Sequence, residues 1–249
     1  RLQNIQECVR AVLNEKIAGD LLEAGCAKGG ACVLMRGVLM TEGDRVRRVY
    51  CADTFVGSKP PQSPPLAVLF RPLFSLVSLA ASVPSKRFSR WLFSKLIRLQ
   101  SSFPADEANT ADDAVRSFLF YLRNGNAFSP GKGVCTGNGI ASVQSHFARL
   151  GLLDKQVVFL KGFFSDTLPT APIERLSLLR LDGDLYASTR DALEHMYPKL
   201  SPGGFCIVDD YYSFQECRRA VDEYRELHHI GEEMVSIDEA SVFWRRRKL

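Results

Sequence analysis

LSLLRLDGDLYASTRDALEHMYPKLSPGGFCIVDDYY, residues 176–212, decides the fold. Its two short apolar runs, 176–180 and 203–208, carry the near-continuous hydrophobicity of strands buried on both faces in a parallel sheet. Between them Ala192, Leu193, Met196, Tyr197 and Leu200 recur at helical spacing, and Ser201-Pro202-Gly203-Gly204 reads as the loop that closes that helix. Strand, helix and strand make one βαβ unit, so Asp182 and the Asp209-Asp210 pair leave the sheet at the same edge. Neighbouring strands lie ~4.8 Å apart, close enough for these carboxylates to converge. Three carboxylates at the carboxyl edge of an α/β sheet are costly unless something cationic sits among them. A hard divalent ion suits such oxygen ligands.

The same alternation extends outward. An amphipathic helix is expected over 2–18, a strand over 20–25 and a helix over 31–40. A strand follows at 47–53, then, past an irregular stretch, a helix at 140–150 and a strand at 157–162. The quoted segment supplies strand 176–181, helix 187–200 and strand 204–209. A helix at 214–228 and strands at 234–238 and 241–246, joined by a short acidic turn, end the chain as a hairpin. This pattern describes one α/β domain over 1–249, with a mostly parallel seven-stranded sheet, a C-terminal antiparallel hairpin and helices on both faces. No internal repeat is visible.

With 249 residues, 46% hydrophobic and 24% charged, the composition is that of an ordinary globular protein. The net charge of +4 is unevenly spread: between Asp53 and Asp106 there is no acid, while seven cations leave the rest of the chain at −3. We expect no nucleic-acid partner. The seven cysteines form no CxxC or Cys/His cluster and read as buried reduced thiols, which points to the cytoplasm or an organelle interior. The first residue is Arg1 rather than methionine, so we expect a trimmed chain from which a targeting segment could have been removed.

A second motif sits at the first strand end. Glu23, Gly25 and Gly29 form ExGxxxG, with Gly30 at the helix entrance. Such glycines let the backbone turn sharply and approach a ligand, and the helix amino terminus favours an anion. Asp53, closing the second strand, is placed to accept ribose hydroxyls. A dinucleotide site would want GxGxxG for pyrophosphate; the spacing here suits S-adenosylmethionine. Alone, ExGxxxG reads equally as a structural turn, and either acidic turn as a solvated turn or helix cap. Gly162 and Phe163, after the third strand, would border the adenine, although Phe163 and Phe164 read equally as core.

DLLEAGCAKGGACVLMRGVL, VYCADTFVG, FARLGLLDKQVVFLKGFFSDTLP and the 179–212 stretch, with AVDEYRELHHI and IDEASVFWRR, resemble the macrocin O-methyltransferase family. The resemblance spans nearly all of 1–57 and 137–247. It implies a Rossmann-like class I methyltransferase fold, S-adenosylmethionine as methyl donor and Mg²⁺ holding the hydroxyl of a sugar or natural-product-like acceptor. It further implies Asp182, Asp209 and Asp210 as metal ligands, with Asp182 also taking part in deprotonation. Glu23, Gly25, Gly29, Asp53, Gly162 and Phe163 fall in the cofactor site. Asp184 is left to the turn.

Residues 58–136 depart from that pattern. PPQSPP at 60–65 precedes the apolar 66–83, and KRFSRWLFSKLIRL at 86–99 places cations around an apolar helical face. The stretch reads as an acceptor lid, a packed or poorly ordered insertion, or a peripheral membrane contact through 66–99. Arg71-Pro72 disfavours a transmembrane helix. Two rival functions stay open: a non-catalytic or membrane-associated cofactor-binding module, and a dinucleotide oxidoreductase. A homo-oligomer is compatible with all of them. His228 and His229 read as helix-end cations, His146 and His195 as surface or packed residues, Tyr211 and Tyr212 as core or acceptor contacts, and 245–248 as a solvated terminus.

Overall fold

The computed structural model describes residues 1–56 and 139–247. The expected lid or membrane segment at 58–136, with 66–99 inside it, lies outside the described residues. Three elements open the chain, α1 (Leu2–Asn14), β1 (Asp20–Ala24) and α2 (Gly30–Thr41), followed by β2 (Val49–Asp53). Beyond the gap come α3 (Ile140–Arg149), β3 (Val157–Lys161), the single turn α4 (Phe164–Thr167), β4 (Leu176–Leu181) and α5 (Tyr186–Met196). A 3₁₀ turn leads into β5 (Leu200–Val208), and α6 (Gln215–Leu227), β6 (Val235–Ser236) and β7 (Val242–Arg245) complete the order.

The seven strands form one sheet in the order β3-β2-β1-β4-β5-β7-β6, parallel from β3 to β5 and antiparallel at β7 and β6. This is the Rossmann-like arrangement expected from the alternation. Along each strand the side chains divide with period two. Leu22, Tyr50, Leu179 and Cys206 enter the core under α5 and α6, whereas Leu21, Cys51, Leu178 and Ile207 enter the core under α1, α2 and α3. Glu23 and Arg180 are cross-strand partners on that second face, and they are polar where their neighbours are apolar.

Two local readings change. Ser201-Pro202-Gly203-Gly204, expected as a loop, belongs to β5, where the register shifts opposite Leu176–Leu178 and Gly203 adopts φ 85°. The bulge is pinned from the hairpin: Arg246 N donates to the Gly204 carbonyl at 2.9 Å, and Arg245 Nε donates to the Gly203 carbonyl at 2.8 Å. Arg245 and Arg246 are therefore structural clasps rather than a solvated terminus. A side-chain clasp of this kind leaves no local sequence signature. The six described cysteines are all free and buried, and no helix among the described residues is long and apolar enough to cross a membrane.

Candidate functional site

The chain leaves β1, β2, β4 and β5 at one edge of the sheet. Gly25 follows β1 at φ 95°, and a Cβ there would lie 1.9 Å from the Asp182 carbonyl oxygen, so only glycine lets the β1 and β4 turns lie against each other. Gly29 is the N-cap of α2 at φ 78° and makes no side-chain cap, which leaves the start of the helix suited to an anion. Its missing Cβ would meet Val143 Cγ1 at 2.5 Å, so glycine also allows α3 to approach.

Asp53 ends β2 with its carboxylate held by backbone donors: Oδ2 accepts from Ala27 N and Oδ1 from Phe55 N, both at 2.9 Å. Its carbonyl accepts from Gly162 N at 3.0 Å, and Phe163 is the N-cap of α4. The loops after β1, β2 and β3 are thereby tied together. Ala27, Phe55 and Asp184 all adopt positive φ, each in a loop at this edge. Such conformations cost of order 1–3 kcal/mol each and concentrate where a site must be aimed.

Glu23 lies beneath this edge, only 2% exposed. Its Oε2 accepts from Cys32 N at 3.1 Å and from the Cys32 thiol at 2.7 Å, while Oε1 accepts from Arg180 Nη1. Burial pushes the Glu23 carboxyl upward, with the Arg180 charge pulling the other way. Arg180 is the buried cation at this edge that the sequence reading missed. Its Nη1 also donates to Asp182 Oδ2 at 2.7 Å, and its Nη2 lies 2.5 Å from Asp209 Oδ1. One guanidinium thus serves three acids from three strand ends. The signal was present as a lone cation inside the apolar run LSLLRL.

Asp182, Asp184 and Asp210 bring one carboxylate oxygen each within 4.8 Å of one another. Burial pushes Asp182 up to about 7, with Asp209 and Asp210 adding to the effect. Burial likewise pushes Asp210 up to about 8, helped by Asp184. Asp209, expected in the ligand set, lies outside this group. It continues the strand alternation onto the Arg180 face, and its Oδ2 accepts from Arg1 Nη1 at 2.6 Å. Asp209 Oδ1 is buried against the Arg180 guanidinium. Asp184, assigned to the turn, is the third acid within reach.

The other candidates fall outside this cluster. The Tyr211 hydroxyl donates to Asp222 at 2.6 Å from within the core, and the half-exposed Tyr212 pairs with Ser236. Phe164 packs against the core under α5. His146 Nδ1 lies 2.9 Å from the Lys28 carbonyl in the glycine loop, and His228, the C-cap of α6, stacks on Tyr224.

Residues 1–68 and 138–246 match the family model described as Macrocin-O-methyltransferase (TylF). The mycinamicin III 3''-O-methyltransferase of Micromonospora griseorubida is 39% identical over 246 residues, covering 99% of this chain and 76% of that protein. The 8-demethyl-8-(2,3-dimethoxy-alpha-L-rhamnosyl)-tetracenomycin-C 4'-O-methyltransferase of Streptomyces olivaceus is 38% identical over 246 residues, covering 98% and 72%. Among solved structures, the O-methyltransferase NovP superposes with a TM-score of 0.73 at 35% identity, covering 100% of this chain and 80% of that one.

Proposed function

We propose that this chain, which belongs to the macrocin O-methyltransferase family, holds a sugar hydroxyl and a divalent cation at the β4–β5 edge, beside S-adenosylmethionine at the β1–β2 edge. Membership and fold make it an S-adenosylmethionine-dependent O-methyltransferase rather than an oxidoreductase or a non-catalytic module. The observation that carries the finer reading is the convergence of Asp182, Asp184 and Asp210 within 4.8 Å. Three facing carboxylates fit Mg²⁺, a cation that prefers oxygen ligands. We assign Asp182, Asp184 and Asp210 to it, and leave Asp209 with Arg180. Such an ion, when bound, makes a neighbouring hydroxyl more acidic.

The chain's own groups do the rest. Asp182, a carboxylate of this group, is suited to accept the hydroxyl proton. The Gly25 turn admits the cofactor close to the backbone, and the amino terminus of α2 receives its carboxylate. Asp53 is assigned to the ribose hydroxyls, and Gly162 and Phe163 to the adenine border. Transfer then needs in-line placement of the acceptor oxygen against the methyl group. A sugar acceptor is supported by the rhamnosyl group in one relative's name.

Labelled-methyl transfer from S-adenosylmethionine to rhamnosyl glycosides, with Mg²⁺ or with excess chelator, tests this reading. We expect label in the glycoside only with the metal. Undiminished transfer under chelation would remove the metal from the mechanism. Labelling of simple phenols but of no glycoside would move the acceptor class.

A further inference from the structure

We propose that Arg180 is a positioning residue that couples the cofactor pocket to the metal-holding carboxylates; this rests on the functional reading above. The guanidinium is nearly enclosed, its side chain only 7% exposed. Nη1 is shared between Glu23 Oε1 and Asp182 Oδ2, and Nη2 faces Asp209 Oδ1. Glu23 passes the connection on: its second oxygen holds both the amide and the thiol of Cys32, in the first turn of α2. A continuous polar path therefore runs from the acidic cluster through Arg180 and Glu23 to the helix start assigned to the cofactor. It crosses β4 and β1, whose turns are already locked together at Gly25.

The proposed switch is Asp182, whose Oδ2 accepts from Arg180 in the metal-free chain. Its Oδ2 either accepts from Arg180 or turns to a cation among Asp182, Asp184 and Asp210. A dication attracts a carboxylate more strongly than a guanidinium does at equal distance, so metal draws Asp182 off Nη1. The freed donor concentrates on Glu23, which fixes Cys32 and the first turn of α2. Metal binding thus favours cofactor binding, and by linkage the reverse holds equally. Arginine is required because its planar fork reaches several carboxylates at once, whereas a lysine ammonium is a point charge on a flexible stem.

A purely structural counter-ion would change stability and both affinities, but not the ratio by which one ligand alters the other. That ratio is the readout. Calorimetric titration of the full chain with S-adenosylhomocysteine, with and without saturating Mg²⁺, should show the metal tightening binding roughly three- to tenfold in the wild type. In Arg180→Lys, which keeps the charge, the ratio should fall to about one. Glu23→Gln, which cuts the path at its other end, should give the same collapse, with Mg²⁺ affinity measured alone staying within about threefold of the wild type. Retention of the full ratio in either folded variant overturns the proposal, as does wild type that binds both ligands with a ratio of one. Wild type that binds no S-adenosylhomocysteine overturns this proposal and the functional reading together.

Discussion

The two ends of the site handle negative charge in opposite ways. At the β1–β2 end each acid is satisfied by the protein: Asp53 by the amides of Ala27 and Phe55, Glu23 by Cys32 and Arg180. At the β4–β5 end Asp182, Asp184 and Asp210 face one another, and burial drives two of them toward neutrality. An acid supplied with backbone donors fixes the shape of a loop. Acids that must share protons raise the free energy of the empty site and so strengthen the binding of any cation that relieves them. The first end is built for shape, the second is where we propose a charged guest.

The sharpest break of this contrast is Asp182→Asn. Removing the proposed base and ligand should lower methyl transfer roughly 10²–10⁴-fold, while the Kd for S-adenosylhomocysteine, measured without added metal so that the metal coupling plays no part, moves by no more than about threefold. Equal losses in rate and cofactor affinity would show that the two ends are not separable. Gly25→Ala attacks the seam between them. With φ at 95° and a Cβ 1.9 Å from the Asp182 carbonyl oxygen, it should cost about 3 kcal/mol or more. A thermal melt should then drop by roughly 6–12 °C for a protein of this size. A melt within about 2 °C of the wild type would mean that the turns do not meet so tightly.

The same contrast explains what could be read from the sequence. The mostly parallel sheet, its closing hairpin and the convergence at one edge followed from βαβ periodicity, because apolar runs and helical spacing are local and regular. Gly25, Gly29 and Asp53 were legible because each closes a strand or opens a helix, where residue type reports backbone need. The partition of the acids was not legible. Asp209 and Asp210 are consecutive, and which of them joins Asp182 depends on strand alternation meeting Arg180 across two neighbouring strands. That long-range register, like the clasp of Arg245 and Arg246 on the β5 bulge, exists only once the sheet is assembled. The expectation of a cation among the acids is met in part from within the chain, by Arg180 in a buried strand.

The smallest expected effect separates the two ends by pH. Asp182 and Asp210 sit at about 7 and about 8 in the folded chain, above the value of about 3.9 for a free aspartate. Between pH 4 and 8 the folded state therefore holds more protons at these positions than the unfolded state. The slope of unfolding free energy with pH, which follows protons bound by the unfolded minus the folded chain, is negative across this window. The stabilisation these two acids give when protonated is complete near pH 4, declines as pH rises and is gone above pH 8. A bound divalent cation requires the deprotonated acids, so Mg²⁺ should recover the loss, and the melting shift it produces should grow from pH 6 to pH 8.5. Asp210→Asn, which removes one of the two shifted titrations and a proposed ligand, should flatten the metal-free slope and shrink the Mg²⁺ shift together. An Mg²⁺ shift of the same size at both pH values would mean that the carboxylates are already ionised without the metal, and the contrast between the two ends would fail.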